Sequence, residues 1–287
     1  MNTRRGPKLS TVLLIIGFIF LYAPMLSLVI YSFNESRLVT VWSGFSIKWY
    51  GELFEDDQMM SAAWVSIQIA FLTACISVVL GTMAALATTR MRRFPGKTLF
   101  SGLITAPLVM PEVITGLSIL LLFVSMGDYI GIGSRRGMLT ILIAHVTFCM
   151  AFVTVVVSSR LSELDRSLEE AAMDLGANRL KVFFVITLPI IAPALISGWL
   201  LAFTLSLDDL VIASFVSGPS STTLPMKVFS SVRLGVSPKI NALATLLILA
   251  VSIAAFIAWW LMSRDEKRRQ RDMQLAAQED QMLAGKA

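Results

Sequence analysis

The sequence predicts an all-α polytopic membrane protein with six transmembrane helices. Of its 287 residues 56% are hydrophobic and 15% charged, roughly half to two thirds of the charged share of a soluble domain. Five uncharged runs, 9–34, 58–89, 137–159, 182–207 and 240–263, each exceed the about 20 residues that carry a helix across about 30 Å of hydrocarbon. A sixth stretch, 98–127, is equally apolar and interrupted only by Glu112.

In order, the expected helices run about 9–34, 61–89, 98–127, 137–159, 188–209 and 240–263, within one transmembrane domain over 1–287. The first run follows Arg4, Arg5 and Lys8. It is longer than the apolar core of a signal peptide and has no small-residue cleavage site behind it, so an uncleaved first helix is expected. The loop 35–57 holds five acids against two bases, with Trp42, Trp49 and Tyr50 as expected interfacial anchors. The segment 218–225 is polar and turn-rich, and predicts a loop or re-entrant stretch before the sixth helix. The tail 264–287 is charged, and extends the last helix beyond the bilayer as a solvated, snorkelling end.

Charge orients these spans. With both termini inside, cytoplasmic segments hold 17 of the 24 Lys and Arg and outer segments the other seven, so the termini and the segment 162–187 are expected in the cytoplasm. Basic residues at membrane edges meet anionic lipid headgroups, and nucleic acid need not be invoked as a partner. Cys75 and Cys149 lie inside predicted spans and read as small packing residues. His145 has no neighbouring ligand in sequence, so no metal site is expected.

The polar segment 162–187 sits between two long apolar runs. Asp165 or Ser167 can cap a helix, and Ser167 with Glu170 fits a capping box. Leu164, Leu168, Ala171, Ala172 and Leu175 then fall at spacings of three and four, forming one apolar stripe. Gly176 suits a left-handed helix end, and Asn178 can start a second helix towards Pro189. Glu170, Asp174, Arg179 and Lys181 surround a helix that the small Ala171 and Ala172 allow close to another surface. By spacing alone this is either a knob that docks into a groove on another protein or a helix lying on the bilayer.

The literal residues add to this. Glu170, Ala171, Ala172, Gly176, Ile186, Leu188 and Pro189, at their spacing, resemble the EAA signature of permease subunits of ATP-driven importers. The stretches 105–118, 170–206, 207–217 and TTLPMKVFSSVR from Thr222 are similar to the putrescine and spermidine permeases, and most closely to the putrescine type, over nearly the whole chain. The resemblance implies a type I ABC importer permease fold in the bacterial inner membrane, with 162–187 as a coupling helix. It also implies a second permease, usually a different sister chain, two ATPase subunits and a periplasmic polyamine-binding protein. No cofactor is expected on this chain, and ATP and magnesium belong to the partner ATPase. Gly96, Lys97 and Thr98 mimic the end of a phosphate-binding loop, but its first glycine would fall at Met91, so no catalysis by this chain is expected.

The membrane acids are the candidates for cargo. Glu112 in an apolar span costs about 2.5–3.5 kcal/mol to insert and, on a straight helix, lies about 21 Å from the cytoplasmic edge. Asp208 and Asp209 fall near the outer end of the fifth helix. With Glu112 they suggest an electronegative path for a cation, to which Trp199 and Phe203, four residues apart, add an aromatic face. Pro107 and Pro111 are expected to break regular bonding where the helix lines a cavity. Two other readings stay open: an ABC permease for another small solute such as ferric iron, and a stand-alone ion-coupled cation transporter with the acids as relays.

Overall fold

The computed structural model describes residues 9–38, 41–91, 94–130, 136–235, 237–253, 256 and 260. Its residues fall into two compact units, 1–55 with 235–287, and 56–234.

In the first unit, α1 (Leu9–Tyr31) buries no residue, and its apolar side chains are exposed except at Val29 and Tyr31, which are half-buried. The following loop closes around Asn34. The Asn34 amide donates to the Val41 carbonyl at 2.7 Å, and its oxygen accepts from Ser43 N at 3.0 Å. Trp49, on α2 (Lys48–Phe54), is 2% exposed and donates its indole N–H to the Asn34 carbonyl at 2.6 Å. Tyr50 shares a hydrogen bond with Ser32 at 2.7 Å and packs on Phe33. Trp49 is thus held inside a folded cap, which corrects its expected role as an interfacial anchor; Tyr50 is half-buried and Trp42 stays 49% exposed. A further apolar helix, α12, spans Pro238–Ile253.

In the second unit, α3 (Asp57–Thr89), α6 (Met138–Glu163) and α9 (Leu188–Asp208) pack pairwise into a core. Ile69, Ala85, Phe148, Val153, Val157, Leu161, Ile191 and Ala202 meet there. The helices come close because Gly81 and Gly198 both face Val153. Small residues opposite a branched one are a means of association where lipid removes the hydrophobic drive between helices.

The third predicted span is not a straight rod. α4 (Lys97–Val109) and α5 (Glu112–Ile130) are bent by 118° between Lys97–Val109 and Glu112–Gly127. Pro111 explains the break: it has no N–H to donate, and it drives Met110 to an extended conformation with ψ 136°. Pro107 stays inside α4. The straight-helix depth of Glu112 therefore does not apply.

The coupling region follows α6 as α7 (Arg166–Asp174) and α8 (Arg179–Val182), a π-helical turn over Phe183–Thr187, and α9. From Arg179 to Asp208 the helix is continuous and apolar enough to cross a membrane. The π turn sits where Pro189 cannot bond the carbonyl four residues back and its ring crowds it; a wider turn makes room. Beyond α9 come two short helices that no predicted span covers, α10 (Val211–Val216) and α11 (Leu224–Leu234). The loop between them holds Gly218, where any Cβ would collide with the Arg136 carbonyl oxygen.

Among the described residues four helices are long and apolar enough to span a bilayer, and the bent pair makes a fifth. The sixth predicted span is described over Pro238–Ile253 and at Phe256 and Trp260. The tail 264–287 lies outside the described residues.

Candidate functional site

Asp165, rather than Ser167, caps α7. Its carboxylate accepts from Ser167 N at 3.0 Å, and that bond holds the Asp165 carboxyl below its ordinary value. At the other end Gly176 takes φ +87°. Ala177 N donates to Ala172 O at 3.1 Å and Gly176 N to Met173 O at 2.9 Å, the paired bonds of a Schellman turn. Asn178 Oδ1 then accepts from Lys181 N at 2.8 Å and starts α8. Each stop and start is therefore made by the residue types that were legible as caps.

α7 buries none of its residues. Leu168 is 49% exposed, and Leu175 and Leu180 beside it are 90% and 71% exposed. Glu170, Ala171 and Asp174 are exposed, Ala172 is half-buried, Ile186 and Leu188 are half-buried, and Pro189 is exposed. Among the described residues the apolar stripe is thus exposed at Leu168, Ala171 and Leu175 and half-buried at Leu164 and Ala172.

Polar bonds hold the helix in place instead. Glu169, which sequence reasoning missed, puts Oε2 3.2 Å from Arg90 Nε at the end of α3. That nitrogen makes no hydrogen bond, so the contact is Coulombic attraction rather than a directed bond. Glu169 Oε1 accepts from Thr187 Oγ1 at 2.8 Å. Arg166 donates to the Thr89 carbonyl at 2.8 Å, and Arg90 to the Leu164 carbonyl at 3.3 Å. A cleft of about 1030 Å³ opens between α3, α7 and α9, with Val79, Met83, Leu86 and Leu195 among its apolar walls and Arg90 and Glu169 among its charges. Nothing in the local pattern separates Glu169 from Glu170; only the position of Arg90 does.

The structure treats the membrane acids differently. Glu112 is exposed in the first turn of α5, beside the bend, and Asp208 is exposed as the last residue of α9. Asp209 is buried. Its carboxylate accepts from Ala213 N at 2.7 Å and Ile212 N at 3.3 Å, capping α10, and meets His145 Nε2 at 3.1 Å. His145 Nδ1 lies 2.7 Å from Ser206 Oγ. The histidine without a partner in sequence therefore has two in the fold. Among the described residues no three His, Cys, Asp or Glu side chains are grouped to hold a metal.

Trp199 and Phe203 stack on each other at 5.3 Å and 9°. Trp199 also meets Phe71 edge-on and donates its indole N–H to Cys75 Sγ at 3.4 Å. Both rings pack against the core, so part of the aromatic face is already occupied. Cys75 and Cys149 are free thiols.

Residues 77–271 match the family model described as binding-protein-dependent transport system inner membrane component. The chain is 68% identical over 265 residues to the putrescine transport system permease protein PotI of Escherichia coli (strain K12), covering 92% of this chain and 94% of that protein. It is 41% identical over 251 residues to the spermidine/putrescine transport system permease protein PotC of the same strain, covering 88% and 92%. A chain in the crystal structure of a bacterial alginate ABC transporter, in complex with an alginate pentasaccharide-bound periplasmic protein, superposes with a TM-score of 0.68. That match is 16% identical, covers 86% of this chain and 91% of that one, and bears on the fold alone.

Proposed function

Because the chain belongs to the family of binding-protein-dependent transport system inner membrane components, we propose that it is the permease subunit of an ATP-driven importer that moves polyamines, putrescine foremost, from periplasm to cytoplasm. The observation that carries this reading is the 68% identity to a putrescine permease across 92% of the chain. The chain is a multi-pass protein of the inner membrane and has no catalytic role of its own. Both termini are cytoplasmic in this reading, supported by the excess of Lys and Arg on that side.

The complete importer pairs this chain with a second, sister permease, two ATPase subunits that bind ATP and magnesium, and a periplasmic polyamine-binding protein. The exposed stripe of α7 supports docking into an ATPase groove, because an apolar helix face exposed in one subunit is an anchor for another. Closure of the ATPases on ATP moves α7, tilts the membrane helices and opens the pathway to the binding protein; hydrolysis resets it. Glu112 and Asp208 supply negative charge along the pathway for a cation with several ammonium groups.

Reconstitution in proteoliposomes tests this. The chain alone is expected to be inactive, and with sister permease, ATPase and binding protein it takes up labelled putrescine only with ATP. Putrescine flux through the chain alone, driven by an ion gradient, would sink the reading in favour of an ion-coupled transporter. Uptake of ferric iron that putrescine does not compete would move the cargo.

A further inference from the structure

Two adjacent acids on α7 have separate surroundings. Glu170 is exposed and free to face a docked subunit, whereas Glu169 turns inward. The Arg90 and Glu169 side chains are 15% and 16% exposed, and Thr187 is 2% exposed. Through one carboxylate α7 therefore reaches the end of α3 by Arg90 and the start of α9 by Thr187.

Few other contacts can carry a displacement of α7. The helix buries no residue, and the cleft of about 1030 Å³ lies between it and the apolar walls of α3 and α9. Arg166 and Arg90 add bonds to backbone carbonyls, but these bind only α3 and the α6–α7 turn. The charge-assisted hydrogen bond from Thr187 to the half-buried Glu169 carboxylate is stronger than a neutral one, and the Arg90 charge adds Coulombic attraction to it. Thr187 closes the π turn, two residues before Pro189. Pro189 donates no backbone hydrogen bond there, and an α-helix that must change length or direction does so at such turns.

We infer that Glu169 is the positioning residue through which movement of the docked α7 reaches both α3 and α9, with Thr187 and the π turn as the point where α9 yields. The inference rests on the importer reading above and adds to it the internal link between coupling helix and pathway.

The test uses the full importer in proteoliposomes with its binding protein, and reads putrescine molecules imported per ATP hydrolysed. Glu169→Gln keeps the acceptor for Thr187 and removes the charge facing Arg90. Thr187→Val removes the hydroxyl and leaves the Arg90 pair. Each is expected to lower the ratio about tenfold, within the range of site-to-site coupling energies. Thr187→Ser is expected to restore it. The double variant should fall below either single one, because Glu169→Gln cuts the arm to α3 and Thr187→Val the arm to α9.

A wild-type ratio in Thr187→Val, in complexes assembled to wild-type yield, would overturn the inference. So would a variant whose thermal midpoint falls while its ratio holds, which marks a purely structural role. If Glu169→Gln impairs assembly, Thr187→Val and its serine rescue decide alone. A wild-type importer without ATP-dependent uptake would instead refute the importer reading, and is seen before any substitution is made.

Discussion

His145 Nε2 lies 3.1 Å from Asp209 Oδ2, and the same ring meets Ser206 through Nδ1 at 2.7 Å. The pair joins α6 to the junction of α9 and α10, and the Asp209 carboxylate also satisfies the first N–H groups of α10. Truncating Asp209→Ala leaves His145 Nε2 and the Ala213 N–H without this partner in a buried site. A buried group left unpaired costs about 1–3 kcal/mol, so the purified protein in detergent should unfold at a lower temperature. An unchanged melting curve would mean that the cluster contributes nothing to stability.

Asp208 and Glu112 are exposed and have the opposite expectation. Asp208→Asn and Glu112→Gln should leave membrane insertion intact and raise the putrescine concentration that gives half-maximal uptake. A unit-charge pair at about 4 Å is worth about 1 kcal/mol even in water, or roughly fivefold. Uptake unchanged at limiting putrescine would remove the acidic path.

Gly176 stands at φ +87° with nothing within 4 Å of where a Cβ would stand, so an alanine there meets no neighbour and is penalised by conformation alone. That penalty is about 1–2 kcal/mol, equivalent to about five- to thirtyfold in an equilibrium. Gly176→Ala should weaken retention of the ATPase subunit on washed membranes by that order. Gly176→Asn should weaken it less, because asparagine enters the left-handed region more readily. Equal retention by glycine, asparagine and alanine would show that the turn does not shape the docking surface.

The contact of Gly198 and Gly81 with Val153 gives a paired prediction. A Cβ at Gly198 would approach Val153 Cγ1 to 3.3 Å, so Gly198→Ala should destabilise and Val153→Ala should relieve it. A Cβ at Gly81 would meet Val153 Cβ at 2.8 Å and the Met150 carbonyl at 3.1 Å, atoms that Val153→Ala leaves in place. Thermal unfolding of Gly198→Ala and Gly81→Ala, each alone and combined with Val153→Ala and read against Val153→Ala itself, should therefore display rescue at Gly198 and none at Gly81. Overpacking of this kind costs typically about 1–3 kcal/mol.

The cap on α7 has a pH signature. Because the Ser167 N–H lowers the folded-state value of Asp165, the cap's contribution is present above the ordinary carboxylate value and is lost as pH falls through the lowered one. Hydrogen exchange in α7 should thus accelerate as pH drops from about 6 towards 3 relative to the intrinsic rate. In Asp165→Asn, which still caps but does not ionise, that acceleration should be absent.

The apolar spans, the EAA helix and its Gly176 turn were legible in the sequence itself, because each depends on neighbours within a few residues. Run length decides what crosses a bilayer, a spacing of three and four makes a stripe, and a glycine tolerates φ +87° wherever it stands. The break at Pro111 was legible in kind, but its 118° angle was not, since a proline removes a bond without aiming the next helix. Only the tertiary structure chose Glu169 over Glu170 as the inward acid, and buried Asp209 against His145 while leaving Asp208 exposed. Those outcomes depend on Arg90, Thr187 and His145, which pattern and propensity cannot bring together, because a carboxylate settles where a partner offsets its desolvation. His145 lies 64 positions from Asp209, and packing of α3, α6 and α9 is what makes them neighbours.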